Sequence, residues 1–233
     1  MNGPKKKPLV VVSPPSFGDK RDVVFAIGSH PLTFIEKLSC DPSTGEWKWT
    51  VVSPPPEYPL LYYDFNLAFR AGFAKIDGNR KLLICCFGFK GLLIFDMDTN
   101  MWDCNFEDQL STYAPIKEYG TYTGQVPIVD NVWYVLDNDE DVDDILLGFD
   151  LQTFKWSEVY NLDVEKFCTK SLVQIGDKSM GLVCVKTTIP QWEVYCTVFQ
   201  VQKDLDGSLY ACNLLKTPSY FGDGTTFLHC VVL

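Results

Sequence analysis

The feature that most constrains the fold of this chain is a short motif that occurs three times at nearly equal spacing. Each copy reads D-x-x-T-x-x-W, and the three aspartates lie 55 and then 54 positions apart. A repeat of about 50 residues indicates one supersecondary unit used several times, with neighbouring units covering each other's apolar faces. The repeat residues are Asp41, Thr44 and Trp47, then Asp96, Thr99 and Trp102, then Asp150, Thr153 and Trp156.

Each motif predicts a hairpin. A run of strand-forming residues precedes each Asp, at 34–38, 92–95 and 145–149. The Asp carboxylate and the Thr hydroxyl accept backbone N–H groups in a tight turn, and Gly45 or Asn100 supplies the left-handed position. The Trp begins the next strand, where its large ring covers the gap to a neighbouring sheet. The hairpin therefore joins the third and fourth strands of a four-stranded unit.

The repeat and the strand pattern around it predict an all-β single domain over 1–233, a small β-propeller of four recognisable kelch-like blades. The fourth unit has no motif, but Asp206-Gly207 predicts a two-residue turn. A C-terminal strand at 226–233 closes the ring or begins a fifth blade. A β-sandwich with three chance hairpins is the alternative. The predicted blades span approximately 8–53, 67–107, 121–161 and 168–215.

Composition limits the partners and the compartment. The formal net charge is −10, which disfavours binding to nucleic acid. The nine Cys form no C-x-x-C pair, and most lie in apolar runs as small core residues. We find no signal peptide and no membrane-spanning stretch, and we therefore expect the protein in the cytoplasm, the nucleus or both. We also expect a monomer.

At the motif residues the chain resembles the plant F-box/kelch-repeat proteins and their F-box-associated propellers. The segment 129–136 is similar to the second strand of such blades, although the double glycine typical of that strand is missing. In that family the F-box docks onto a ubiquitin-ligase adaptor and the propeller holds the target. The resemblance covers most of 20–215, and it implies the target-binding half without an F-box.

Candidate partner contacts come from exposed-looking loops. One loop carries six carboxylates in eight residues, which indicates a solvated segment, a contact for a basic partner or a metal site, in that order of preference. A Pro-rich connection between the first two units displays aromatic side chains, and a histidine follows Gly28-Ser29. The candidates are Asp139, Glu140, Asp141, Asp143 and Asp144, then Tyr58, Tyr62 and Tyr63, and His30.

Catalytic chemistry is not indicated by the sequence. Two His residues are too few for most acid–base or metal sites, and no nucleophile elbow, phosphate loop or zinc-helix motif is present. We therefore predict no catalytic residue, no metal and no cofactor, and a non-catalytic protein–protein interaction module. The alternatives are a metal-assisted kelch enzyme of the nitrile-specifying type and a propeller that binds a sugar or small molecule.

Overall fold

A computed structural model describes eleven segments of the chain, and all its regular structure there is strand. The prediction of an all-β fold is confirmed, since the described residues form eighteen strands and no helix. The described residues therefore contain no helix that could cross a membrane. The described residues are 9–13, 23–28, 35–41, 43–53, 69–86, 92–103, 124–137, 145–153, 155–164, 169–188 and 191–223.

The strands follow one another in four meanders. The bounds are β1 Leu9–Val12, β2 Val24–Ile27, β3 Ile35–Cys40, β4 Trp47–Val52, β5 Phe69–Ile76, β6 Asn79–Cys86, β7 Leu92–Asp96, β8 Met101–Asp103, β9 Gly124–Gln125, β10 Ile128–Val129, β11 Val132–Asp137, β12 Ile145–Asp150, β13 Lys155–Tyr160, β14 Thr169–Gln174, β15 Ser179–Thr188, β16 Gln191–Lys203, β17 Leu209–Lys216 and β18 Tyr220–Asp223.

The chain divides into two compact units, and the first consists of residues 1–114 with 121–125. It contains an antiparallel sheet in the order β1-β2-β3-β4 and a second sheet in the order β8-β7-β6-β5-β9, in which β9 runs parallel to β5. One face of each sheet contributes to a single apolar core. Phe25, Phe73 and Phe95 lie at its centre, with the Phe25 ring 6.0 Å from Phe73 and 6.3 Å from Phe95.

The second unit consists of residues 115–120 with 126–233. Its nine strands form one sheet in the order β10-β11-β12-β13-β17-β16-β15-β14, with β18 paired to β16. Strands β10 to β13 form one antiparallel meander of this sheet, and β14 to β17 form the other. A short parallel pairing of Val159 and Tyr160 with Leu209 and Tyr210 joins the two. Residues from both halves of this sheet share one core. The sheet therefore bends round its own apolar side and is nearly closed and barrel-like.

Two turns show why the hairpins form where they do. Asp77 and Gly78 have φ of 51° and 83°, and Asp130 and Asn131 have φ of 50° and 60°. Positive φ at both central residues is the two-residue turn whose twist matches that of the flanking strands. Gly, Asn and Asp adopt this conformation at the lowest cost.

The structure differs from the sequence expectations in three places. The predicted third blade at 121–161 does not form one sheet throughout, since β9 pairs with β5 while β10 pairs with β11. The turn predicted at Asp206-Gly207 is present, but its loop is longer than two residues, because Lys203 pairs with Leu209 and five residues lie between them. Strand β18 was not predicted at all. The predicted strand at 226–233 lies outside the described residues.

Candidate functional site

The partner contacts proposed from the sequence all fall outside the described part of the chain. This applies to the acidic loop, to the aromatic connection and to the histidine loop. The structure therefore neither brings these side chains together nor separates them. The residues concerned are Asp139, Glu140, Asp141, Asp143, Asp144, Tyr58, Tyr62, Tyr63 and His30.

The repeat residues do lie in described hairpins, and the three turns share one hydrogen-bonding pattern. In each, the Asp Oδ1 accepts the backbone N–H groups two and three positions later. The donors are Ser43 and Thr44 at 2.8 and 3.4 Å from Asp41, Asp98 and Thr99 at 2.9 and 2.8 Å from Asp96, and Gln152 and Thr153, both at 2.8 Å, from Asp150. Gly45 and Asn100 have φ of 74° and 55°.

The three aspartates differ in what else they bind. Lys81 donates a 2.7 Å hydrogen bond to Asp96, and both side chains are largely buried. Burial alone would raise the pKa of Asp96, but the Lys81 ammonium and the two turn N–H groups lower that pKa to about 2. Asp150 accepts a hydrogen bond from Lys203, whereas Asp41 is exposed. These bonds hold the hairpins in shape and are not arranged as a catalytic pair.

Two sheet faces, one in each unit, carry most of the exposed large apolar side chains of the described residues. We call one of them the last outer face, because it belongs to the last meander. It is the side of β14 to β18 that points away from the core of the second unit. It carries Val173, Val183, Val185, Trp192, Val194, Cys196 and Val198, all half-buried, and Ile175, Leu215 and Tyr220, which are exposed.

Strand register places these side chains together. Directly paired residues point to the same side of a sheet, and Val198 pairs with both Gly181 and Leu215, while Val194 pairs with Tyr220. A Cβ added at Gly181 would lie 2.7 Å from Ile175 Cδ1 and 3.1 Å from Cys196 Sγ, so these side chains close over that glycine. Leu215 is 65% exposed and Tyr220 is 70% exposed.

Trp192 anchors one end of the last outer face. Its ring lies flat against β18 at Gly222, where an added Cβ would be only 2.7 Å from Cη2 of the indole. Its indole nitrogen is buried and has no hydrogen-bond partner. An indole with an unmet donor beside exposed Tyr220 is the kind of amphipathic group enriched at protein interfaces.

The other apolar face is the side of β1 to β4 that points away from the core of the first unit. We call it the first outer face, because it belongs to the first meander. Val10 pairs with Ala26, Glu36 pairs with Val51, and Cys40 pairs with Trp47. At its centre, Ala26 and its pairing partner Glu36 are both fully buried, so the exposed apolar residues lie only around this centre. The exposed apolar residues here are Val10, Val12, Trp47 and Val51.

Sequence reasoning missed both faces because it treated every apolar strand run as core. A run such as Leu182-Val183-Cys184-Val185 is apolar at each position rather than at alternate ones. Only Leu182 and Cys184 belong to the core, and the two valines point to the other side. Continuous apolar runs indicate a strand with two apolar faces. This pattern would have identified the last outer face.

Charge is distributed unevenly along the chain. Residues 126–233 contain sixteen acidic and seven basic side chains, a formal net charge of −9, and the rest of the chain contributes −1. The last outer face itself carries no Asp, Glu, Lys or Arg at the positions named above. Acidic residues border one end of it, where Asp177, Asp204 and Asp206 lie exposed in two turns.

Features that would indicate catalysis are sparse in the described residues. No group of three or more His, Cys, Asp or Glu there is placed to hold a metal ion. Lys170 is 2% exposed and lies opposite Cys184 on the core side of the sheet. Burial lowers the pKa of Lys170, although the nearby Cys184 acts in the opposite direction. The arrangement that stands out chemically is therefore apolar surface rather than a reactive centre.

Comparison with protein-family models and with curated proteins finds no match for this chain.

Proposed function

We propose that this chain is a non-catalytic protein–protein interaction module that binds through its last outer face. The observation that carries the proposal is the exposure of Leu215 and Tyr220 beside half-buried Val194 and Val198. Contiguous apolar surface on a folded protein marks an interaction site, because leaving it in water costs free energy that a partner recovers.

The proposal includes a finer architecture and a cellular role. Four consecutive four-stranded meanders, three of them with the same Asp-Thr-Trp hairpin, support blades of a small kelch-like propeller. The resemblance to F-box/kelch-repeat proteins supports target recognition for a ubiquitin ligase, in the cytoplasm or the nucleus. The two apolar faces belong to the first and the last of the four meanders.

Docking on the last outer face is better supported than strand addition at its edge. In the described sheet, β17 continues beyond its pairing with β13 at Leu209 and Tyr210, and this part contains a bulge between the partners of Val198 and Gln200, where Asn213 has a φ of 53°. Lys216 and Pro218 follow. Bulges, lysine and proline are the devices that prevent an edge strand from pairing with another chain.

Affinity capture with quantitative mass spectrometry tests the proposal. The baits are the wild-type chain, Leu215→Asp and Leu205→Asp, incubated with plant cell extract because of the family resemblance. Leu205 is fully exposed at a turn tip, so its substitution adds the same charge away from the face. We expect specific proteins that Leu215→Asp loses and Leu205→Asp retains. Capture that is equal for all three baits would refute binding through this face.

A further inference from the structure

We infer that the partner on the last outer face is a second copy of this chain, which docks there with its own last outer face about a two-fold axis. This inference rests on the proposed function, because it requires that face to be a docking surface, and it names the partner. It departs from the monomer expected from the sequence. The residues that carry it all belong to β14 to β18, within the second unit.

The composition of the last outer face is typical of an interface between two copies of one chain. Val183 pairs with Cys196, Val194 and Val198 lie two residues to either side of Cys196 on β16, and Tyr220 is exposed beside Val194. None of the positions that define the face holds an Asp, Glu, Lys or Arg. Homodimer interfaces are more apolar than those between proteins that also exist apart, and their centres are poor in charged residues. This face therefore suits an equally apolar partner face, and a second copy supplies one.

The area of the last outer face matches what a stable dimer needs. Strands β14 to β18 contain 6, 10, 13, 8 and 4 residues, 41 together. Each strand residue occupies about 3.3 by 4.8 Å, so the face covers roughly 650 Å². Two such faces in contact would bury roughly 1,300 Å² in total, within the range of about 1,200–2,000 Å² for specific, stable interfaces. One contact between two last outer faces is therefore large enough.

Charge does not oppose contact between two identical faces. Residues 170–222 contain five basic and four acidic side chains, a formal net charge of +1, and all nine lie in described segments. Like-charge repulsion between two copies of this meander is therefore nearly absent. The side chains counted are Lys170, Lys178, Lys186, Lys203 and Lys216, and then Asp177, Glu193, Asp204 and Asp206.

A two-fold contact also leaves nothing uncovered on the last outer face. When the same surface meets itself, each copy covers the face of the other, so no free apolar face remains to add a third copy. Two sheets in face-to-face contact keep their strands within about 30° of each other and interdigitate their side chains. Exposed Leu215 and Tyr220 would fill the layer between the two sheets.

Sedimentation velocity of the full chain, over a range of concentrations, tests the inference. Leu215→Asp places a charge on the face, and Tyr220→Ser removes apolar surface without adding charge. Both residues are exposed, so neither substitution disturbs a core. Leu205→Asp is the matched control, a fully exposed residue of the same unit off the face, and Val10→Asp places the same charge on the first outer face. Circular dichroism establishes that each variant is folded.

We expect a dimer for the wild type, for Leu205→Asp and for Val10→Asp. The dissociation constant should rise at least about tenfold in Leu215→Asp and in Tyr220→Ser. Loss of the dimer in Val10→Asp would overturn the inference, because the first outer face would then take part in the contact. Growth beyond a dimer with concentration would overturn the two-fold arrangement, since only an open head-to-tail contact continues to add copies. A dimer that all four variants retain would place the contact elsewhere on the molecule.

A wild-type monomer at every concentration overturns the inference, and the capture experiment then separates the two claims. If the monomer captures a protein through Leu215, the proposed function stands and the occupant is a different protein. If it captures nothing that depends on Leu215, both the inference and the proposed function fail.

Discussion

The Trp102 ring lies against Phe95, the residue directly opposite it on the neighbouring strand, with centroids 5.2 Å apart and planes tilted by 56°. The third repeat has the same pair, with Phe149 and Trp156 4.9 Å apart. The motif therefore joins two interactions: the Asp closes the turn, and the Trp packs across the hairpin on the residue just before that Asp. Trp102 also donates a 2.6 Å hydrogen bond to the carbonyl of Ser53.

The first repeat lacks this pair, which leads to a stability prediction. Cys40 stands opposite Trp47, and the Trp47 ring is 54% exposed. We expect Cys40→Phe to restore the cross-strand aromatic pair and raise the free energy of unfolding by about 0.5–1 kcal/mol. Urea unfolding followed by circular dichroism measures the change. Cys40→Ala, which adds no ring, should give no gain. A Phe variant no more stable than the Ala variant would show that the pair adds nothing here.

The Lys81–Asp96 ion pair predicts a dependence of stability on pH. The Asp96 pKa is about 2 in the folded chain and 3.8 ordinarily, so the native state favours the ionised form. A lowered pKa stabilises the fold above the unfolded value, and the contribution is lost as pH falls from about 4 to about 2. The difference corresponds to about 2 kcal/mol at neutral pH.

Asp96→Asn isolates this contribution. We expect the variant to lose about 2 kcal/mol at pH 7 and to converge on the wild type as pH falls through about 2, where the wild-type carboxylate becomes protonated. Asp41→Asn is the control, because Asp41 makes the same turn bonds but is exposed, so we expect a smaller loss that depends less on pH. Thermal unfolding across the pH range provides the data. A constant difference between Asp96→Asn and wild type at all pH values would contradict the assignment.

The sequence predicted the hairpins because their determinants are local. Asp, Thr and a left-handed Gly or Asn specify a turn within eight residues. Apolar residues occur at alternate or at consecutive positions of the flanking strands, as expected for a sheet. The sequence did not predict β18 or the joining of β13 to β17, because both pairings depend on contacts between segments that are distant in the sequence. The outer faces were missed for a related reason: an apolar run does not tell which of its two faces a neighbour covers.

Close packing in the core of the second unit gives the last prediction. Gly148 faces the side chains of Leu209, Val132 and Tyr134, and a Cβ there would clash with Leu209 Cδ1 and lie 2.8 Å from Val132 Cγ1. Leu209 belongs to β17 and Val132 to β11, so Gly148→Ala would push apart the two halves of the sheet across their shared core. We expect a loss of about 1–3 kcal/mol, the usual cost of overpacking. Gly176→Ala meets nothing within 4 Å and should stay within about 0.5 kcal/mol of wild type. Equilibrium urea unfolding of the three proteins measures both effects, and equal stability of the two variants would mean that the halves do not pack on Gly148 as described.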